Sequence, residues 1–497
     1  MKLLRVHDDD NVAVALLPLA PGDVADGIGV RDEIAAMHKV AVRPIAKGET
    51  ITKYRQPIGV ATADVAAGTH VHNHNCGMTH SRQDAEAGSR FVATDFVTDA
   101  DRATFAGFRR EDGRAGTRNY IGIVTSVNCS ATVARQVAAL AERQGLVDRY
   151  ANVDGVVAIT HNTGCGMQSA GEGFDLLRRT LDGYVAHPNF GGVLVIGLGC
   201  EVMQVGKLTS GENVRKLGIQ EAGGTRAAID QGLAMVEELA GQANRCSREP
   251  IPASELTLAL QCGGSDAYSG ITANPALGAA ADLLIRHGGS AILSETPEIY
   301  GAEHLLVERA RSPEVADRLI ERVDWWRDYA ARYGDTLDSN PSPGNLAGGI
   351  TTILEKSLGA QAKSGSTSLN AVIAYAERLT EKGLNFMDSP GFDPASVTGQ
   401  VAAGANVICF TTGRGSAFGF KPVPSIKLAT NSKLFERMRD DMDINCGTVA
   451  EDKETVAECG ARIFAEILEV ASGRQTNSEE LDYGNNEFTP WQLGAVY

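Results

Sequence analysis

Four cysteines stand where an apolar run gives way to a glycine-rich or small polar turn. Cys129 lies in Ser126-Val127-Asn128-Cys129-Ser130 after the run 121–125, and Cys165 in His161-Asn162-Thr163-Gly164-Cys165-Gly166 after 156–160. Cys200 lies in Gly197-Leu198-Gly199-Cys200-Glu201 after 193–196, and Cys262 in Gln261-Cys262-Gly263-Gly264-Ser265-Asp266 after 256–260. Read as strand, turn and helix, each unit delivers one cysteine to the carboxyl end of a buried strand, where ligands collect in open α/β sheets. A single cysteine in such a place is ordinary core packing. Four, each flanked by glycine or small polar residues, point to one shared site. A second group is His70-Val71-His72-Asn73-His74, which with the nearby His80 holds four of the ten histidines. Side chains alternate across a strand, so His70, His72 and His74 would share one face. Neutral imidazole is the commonest metal ligand, and the plain alternative is a polar face turned to solvent.

The elements that must position these groups fall into a β-rich start and two α/β stretches. Residues 1–76 repeat a short apolar-Ala-x-Gly pattern at Leu19, Ile45 and Val65, which suits glycine turns between short strands and predicts a small β module. Residues 77–106 are polar and read as a linker. Alternating strands and helices through 107–250 and again through 251–497 predict two α/β domains with mainly parallel sheets, the second Rossmann-like. Helices are expected at 131–143, 224–239 and 275–286, with later strands at 406–411 and 425–429. Residues 335–370, with Asn340-Pro341-Ser342-Pro343-Gly344-Asn345 near their start, read as a long loop or lid, and such loops are usually functional. Lys356 and Lys363 are its cations: a desolvated lysine can act as a base, an exposed one only solubilises. Arg118 and Arg414 close polar turns beside strands and are candidate clamps for a carboxylate, with surface ion pairs as the alternative.

Composition limits what these groups can serve. A chain of 497 residues with 43% hydrophobic and 22% charged residues is ordinary globular protein with room for several cores. Its 46 basic and 62 acidic residues leave a net charge of -16, which disfavours nucleic acid or an anionic membrane surface as partner. An acidic small molecule would need a local basic pocket. No long apolar run follows the first residues, so no membrane association is expected and the protein reads as cytoplasmic. Nine cysteines without a small-scaffold spacing fit a reducing compartment, where thiols can ligate metal.

Taken together the motifs resemble the altronate/galactarate dehydratases of sugar-acid catabolism over essentially the whole chain. Gly68-Thr69-His70-Val71-His72-Asn73-His74-Asn75 is similar to the end of their N-terminal SAF (β-clip) domain. Gly113 to Asn119, the Cys200 and Cys262 turns, Ser269-Gly270-Ile271-Thr272-Ala273-Asn274-Pro275, Asn340 to Asn345 and Thr411-Thr412-Gly413-Arg414-Gly415 are similar to their other signatures. The histidine ending is similar to the altronate branch, while Asp443-Ile444-Asn445-Cys446-Gly447 is closer to the galactarate branch. The resemblance implies an iron-activated lyase that dehydrates an aldonate or aldarate to a 2-keto-3-deoxy acid. Within its signatures Asp266 is read as catalytic, and Ser265 and Asn345 as substrate contacts.

Such a dehydration needs a base, a cation for the enediolate and an acid for the leaving hydroxyl. His72, His74, Lys356 and Asp266 are the candidate proton-transfer groups. Fe2+ would supply Lewis acidity, with Mn2+ as the alternative ion. Its ligands are expected from His70 and His72 or from Cys165, Cys200 and Cys262 with Cys129; three thiolates with one open position would also suit an iron–sulfur cluster. A sulfo-lyase on the same scaffold, a carbohydrate-binding module and a redox-sensing cysteine protein are the competing readings. A homo-oligomer is compatible with all of them.

Overall fold

The computed structural model describes residues 2–78 and 83–497, so His80 lies outside the described residues. The β module comes first in the chain. Its main sheet runs Leu3–Leu4, Val12–Ala15, Lys39–Ala41, His70–Val71, beside a second sheet of Thr50–Lys53, Gln56–Ala61 and Cys76–Gly77. The glycine of each repeat, Gly22, Gly48 and Gly68, takes a left-handed φ of 92°, 84° and 82°, as the turn pattern requires. At Gly68 a Cβ would lie 1.9 Å from the carbonyl oxygen of Gly29, so a side chain there would force the turn apart.

Residues 83–103 form no helix or strand. They run along the body, with Gly88 donating to Val307, Arg90 to Glu308 and Val97 to Arg286 through backbone amides at 3.1, 2.7 and 2.9 Å. The chain then enters strand Thr104–Arg109, which pairs antiparallel with Glu249–Pro252 and so joins the two α/β parts.

The smaller part is a parallel sheet in the order Gly155–Ile159, Tyr120–Thr125, Phe190–Gly197, Val214–Gly218. Val193, Leu194, Val195 and Ile196 are all fully buried, which explains a continuous apolar run rather than an alternating one. Helices Ala131–Arg143 and Thr225–Ala243 cover one face, Glu172–Val185 the other. The larger part is a seven-stranded parallel sheet: Leu369–Ile373, Gly383–Met387, Ser290–Leu293, Thr257–Cys262, Val407–Thr412, Ser425–Ala429, Ile444–Asn445. Ala273–Arg286 and Val456–Ala471 pack together on one face, and Asp393–Ala403 on the other. Asp393–Ala403 meets Glu172–Val185, and their C-terminal ends coincide: a Cβ at Gly183 would lie 2.4 Å from the Ala402 carbonyl oxygen. The two sheets therefore present their carboxyl edges to the same side. Among the described residues no helix is long and apolar enough to cross a membrane.

One expectation is corrected. The stretch read as a loop from 335 to 370 carries helix Ile353–Gln361, started by Thr352, whose hydroxyl accepts from the Glu355 amide. The Thr352-x-x-Glu355 spacing is a helix-start signal that the loop reading overrode.

Candidate functional site

At the carboxyl ends of the seven-stranded sheet three buried groups converge. Cys262 ends strand Thr257–Cys262, and Glu295 and Glu298 follow strand Ser290–Leu293; one ligand atom from each lies within 4.8 Å of the other two. Glu295 is 1% exposed, neither of its carboxylate oxygens has a hydrogen-bond partner, and its φ of 71° is one that side-chain-bearing residues rarely adopt. One oxygen of Glu298 is also unpartnered. Burial pushes the Glu295 carboxyl well above its usual range, and the charges of Glu298 and Asp393 push it further. Asp393, at the start of helix Asp393–Ala403, is raised to about 7 by burial and then by Glu298. Gly263 is needed beside it, because a Cβ there would lie 2.4 Å from Asp393 Oδ2.

Two ammonium groups face these acids. Lys363 Nζ donates to Cys262 Sγ at 2.9 Å, and Lys356 Nζ donates to Glu298 Oε1 at 2.7 Å and to Asn340 Oδ1 at 2.6 Å. Burial works against both charges. For Lys363 the Cys262 and Glu295 charges outweigh it, and for Lys356 the Glu298 charge does, so both pKa values rise. The expectation of Lys356 as a free base is thereby corrected: it is held as a cation. Burial pushes the Cys262 thiol up and Lys363 opposes it, and a metal would bind this sulfur with loss of its proton.

Above this floor lie the other predicted residues of the same sheet edge. Asp266 is 1% exposed, and its carboxylate accepts from the Tyr268 and Ser269 amides, the Ser269 and Thr430 hydroxyls and Asn431 Nδ2. That set of donors shapes the turn, and burial still raises the Asp266 carboxyl above its usual range. Asn345 is likewise structural: Oδ1 accepts from Ser342, and Nδ2 donates to the Ser265 carbonyl at 2.9 Å. Ser265 lines a small cavity with Asp266, Lys356 and the module's Tyr54. Arg414 is exposed at the rim, and its guanidinium makes no hydrogen bond or ion pair among the described residues.

The β module covers this edge. Lys39 and Lys53 reach from it to Glu355, at 2.8 and 2.9 Å, with side chains 0%, 1% and 2% exposed. The strand at His70 ends after Val71 and residues 72–75 turn, which keeps the rings of His70 and His72 5.5 Å apart, and His38 joins the group. His38 Nδ1 lies 3.0 Å from His70 Nε2, the rings of His38 and His72 stack at 4.8 Å, and those of His70 and His74 lie 5.3 Å apart. Burial, and then the neighbouring histidines, lower His70 to about 4, so it is neutral. His72 Nε2 meets the Leu346 carbonyl at 3.0 Å and Nδ1 meets Asn73 Oδ1 at 2.9 Å, so both ring nitrogens face an oxygen. His72 pins the loop instead; His74 is exposed.

Two further expectations meet a different arrangement, seen in partners and exposure. Arg118 is 3% exposed and its donors are spent on Glu479, at 2.7 and 2.8 Å, and on the carbonyls of Thr117, Val470 and Arg474. It braces the C-terminal helices and has no donor left for substrate. The four cysteines do not share one site: Cys262 is buried in the larger sheet, whereas Cys129, Cys165 and Cys200 are exposed on the smaller one. Glu295, Glu298, Asp393 and His38 were not singled out from sequence. The pair of acids in Ser294-Glu295-Thr296-Pro297-Glu298, directly after an apolar run, was the available signal.

Three family models match the chain. They are the altronate/galactarate dehydratase SAF domain over residues 1–79, the D-galactarate dehydratase/altronate hydrolase second domain over 107–244, and the D-galactarate/altronate dehydratase C-terminal domain over 253–496. The chain is 37% identical to an altronate dehydratase of Bacillus subtilis over 491 residues, 97% of each chain. It is 38% identical to the L-threo-forming galactarate dehydratase of Escherichia coli over 487 residues, 95% of this chain and 93% of that one. It is also 33% identical to the (2R)-sulfolactate sulfo-lyase subunit beta of Chromohalobacter salexigens over 397 residues, 78% of this chain and 97% of that one.

Proposed function

The chain belongs to the altronate/galactarate dehydratase family, and we propose that it dehydrates an aldonate of the altronate type to a 2-keto-3-deoxy acid at the buried edge around Cys262. It is a carbon–oxygen lyase, and its substrate is a sugar acid. The altronate assignment rests on the histidine-rich end of the β module together with near-full-length similarity to an altronate dehydratase.

The reading of the chemistry starts from the donor set. A thiol and two carboxylates with three unpartnered oxygens, buried together, are costly without a cation and suit a divalent transition metal of intermediate softness. Cys262, Glu295 and Glu298 would hold Fe2+, or Mn2+ in its place, and that ion would act as a Lewis acid toward the leaving hydroxyl. Lys356 and Lys363 bring positive charge to the side where an enediolate develops, in a water-poor setting that strengthens the interaction. Asp393 lies beside the two lysines' partners and can take the C2 proton as a carboxylate. Arg414, unpaired at the rim, offers a fork to the substrate carboxylate. His72 and the Lys39–Glu355–Lys53 group keep the module seated over the edge and limit water.

The observation that carries this reading is Glu295, a fully buried carboxylate with no partner on either oxygen. The test is keto-acid formation from a panel of aldonates and aldarates, followed with a carbonyl reagent. Chelation should abolish it, and Fe2+ should restore it better than Mg2+. Full turnover by metal-stripped protein would sink the metal reading, and no keto acid from any sugar acid in the panel would sink the reaction.

A further inference from the structure

We propose that Cys129, Cys165 and Cys200 are the three thiolate ligands of an iron–sulfur cluster of the four-iron class, with one iron left without a protein ligand. The proposal does not rest on the dehydration reading and concerns a different edge of the molecule. Of nine cysteines, five are buried and Cys246 is half-buried; these three alone are exposed. Cysteine is among the residues most often buried, so three exposed ones in one place call for a reason.

They are neighbours by construction. In sheet order the strands Gly155–Ile159, Tyr120–Thr125 and Phe190–Gly197 are adjacent, and each runs into the loop that carries Cys165, Cys129 and Cys200 respectively. The loops interlock. Asn128 N donates to the Thr163 carbonyl at 3.0 Å, and the amides of Val202 and Met203 both donate to the Gly164 carbonyl at 3.1 Å. Glu201, 3% exposed, accepts from the Ser126 hydroxyl at 3.0 Å and from the Gly199 amide at 2.6 Å, tying the first and third loops together. Gly164, at φ 95°, lets the Cys165 loop lie on Ser126, where a Cβ would come 2.2 Å from the carbonyl oxygen. The result is a rigid base from which three thiols project to solvent. Cys129 also stands at the start of helix Ala131–Arg143, an end that favours negative charge.

Spacing decides which metal group fits. A single tetrahedral metal with bonds of about 2.3 Å to sulfur would hold its sulfurs within about 4 Å of one another. Among the described residues the one trio of such ligand atoms within 4.8 Å of one another is Cys262, Glu295 and Glu298. Three thiolates set wider apart on adjacent loops suit the corners of a polynuclear cluster, whose usual four-cysteine complement is here one short. Tyr497 N donates to the Gly166 carbonyl at 2.8 Å, Trp491 stacks on Trp326 at 5.2 Å, and Trp326 donates to Asp388, so residues 491–497 bridge the two edges.

The test uses the full chain, prepared without oxygen and incubated with ferrous iron, sulfide and a thiol reductant. Iron and acid-labile sulfide are then counted, with visible absorption and electron paramagnetic resonance after reduction. About four irons and four sulfides per chain are expected. Cys129→Ser, Cys165→Ser and Cys200→Ser should each lose the sulfide-bound iron at least tenfold while circular dichroism stays unchanged, and Cys246→Ser should keep it. Glu295→Gln should also keep it, which separates this site from the one around Cys262. Uptake of zinc alone, absence of sulfide in the wild type, or full clusters in all three serine variants would overturn the proposal.

Discussion

Glu355→Gln removes one charge from a buried three-membered group and leaves its shape nearly intact. In the wild type Glu355 accepts from Lys39 at 2.8 Å, from Lys53 at 2.9 Å, and from the amide and hydroxyl of Thr351 at 2.9 and 2.8 Å. Glutamine would leave two ammonium groups, 0% and 1% exposed, with no counter-charge. Breaking a buried ion pair from one side costs about 3–5 kcal/mol. At about 2–4 °C per kcal/mol for a domain of a few hundred residues, the melting temperature should fall by roughly 6–20 °C. Burial alone would raise the Glu355 pKa, but Lys39 and Lys53 outweigh it and hold it below the ordinary carboxylate range. Its stabilisation is therefore complete above the ordinary carboxylate range and is lost progressively as pH falls below that range toward the depressed value in the fold, so wild type and variant should converge in strong acid. Thermal unfolding from pH 7 downward measures both effects. Because Lys356, the next residue, contacts Glu298, turnover should drop as the module loosens. Replacing all three residues, as Lys39→Met, Glu355→Leu and Lys53→Met, should restore much of the stability, since a packed apolar group avoids the desolvation of three charges. A Glu355→Gln protein within 1 kcal/mol of wild type would refute the argument that this charge group seats the module.

Three other outcomes follow from the same structure. Glu295→Gln should lower metal retention and turnover by at least about 100-fold, yet leave the metal-free protein as stable as wild type or more so, because it removes an unpartnered buried carboxylate; lower stability in the metal-free form would count against the site. His70 is neutral in the fold with a pKa near 4 against an ordinary 6.5, so the unfolded chain takes up its proton first. Stability should thus fall as pH drops from 6.5 toward 4, and His70→Asn should flatten that part of the urea-midpoint profile. Arg118→Ala should cost about 3–5 kcal/mol through the orphaned Glu479 while leaving KM for the sugar acid unchanged, and a raised KM with unchanged stability would return Arg118 to the substrate.

The parallel α/β units, the glycine turns of the β module and the cysteines at strand ends were legible because each rests on neighbours in the chain: an apolar run, the glycine that ends it, the helix that follows. Ala131–Arg143 and Ser425–Ala429 lie where local pattern alone puts them. The resemblance to sugar-acid dehydratases was legible for the same reason, being carried by short contiguous motifs. Which of those residues act together was not. Lys39 meets Glu355 across 316 positions, Lys363 meets Cys262 across 101, and Arg118 meets Glu479 across 361. No local pattern encodes such pairs, because they form only when sheets pack and burial makes an unpaired charge costly. Burial also separated Cys262 from its three exposed counterparts, converted Lys356 from a candidate base into a cation, and left Glu295 without a partner. Residue types and strand ends were written in the chain; dielectric, proximity and the identity of each partner were decided by the fold, since those are properties of the space between segments.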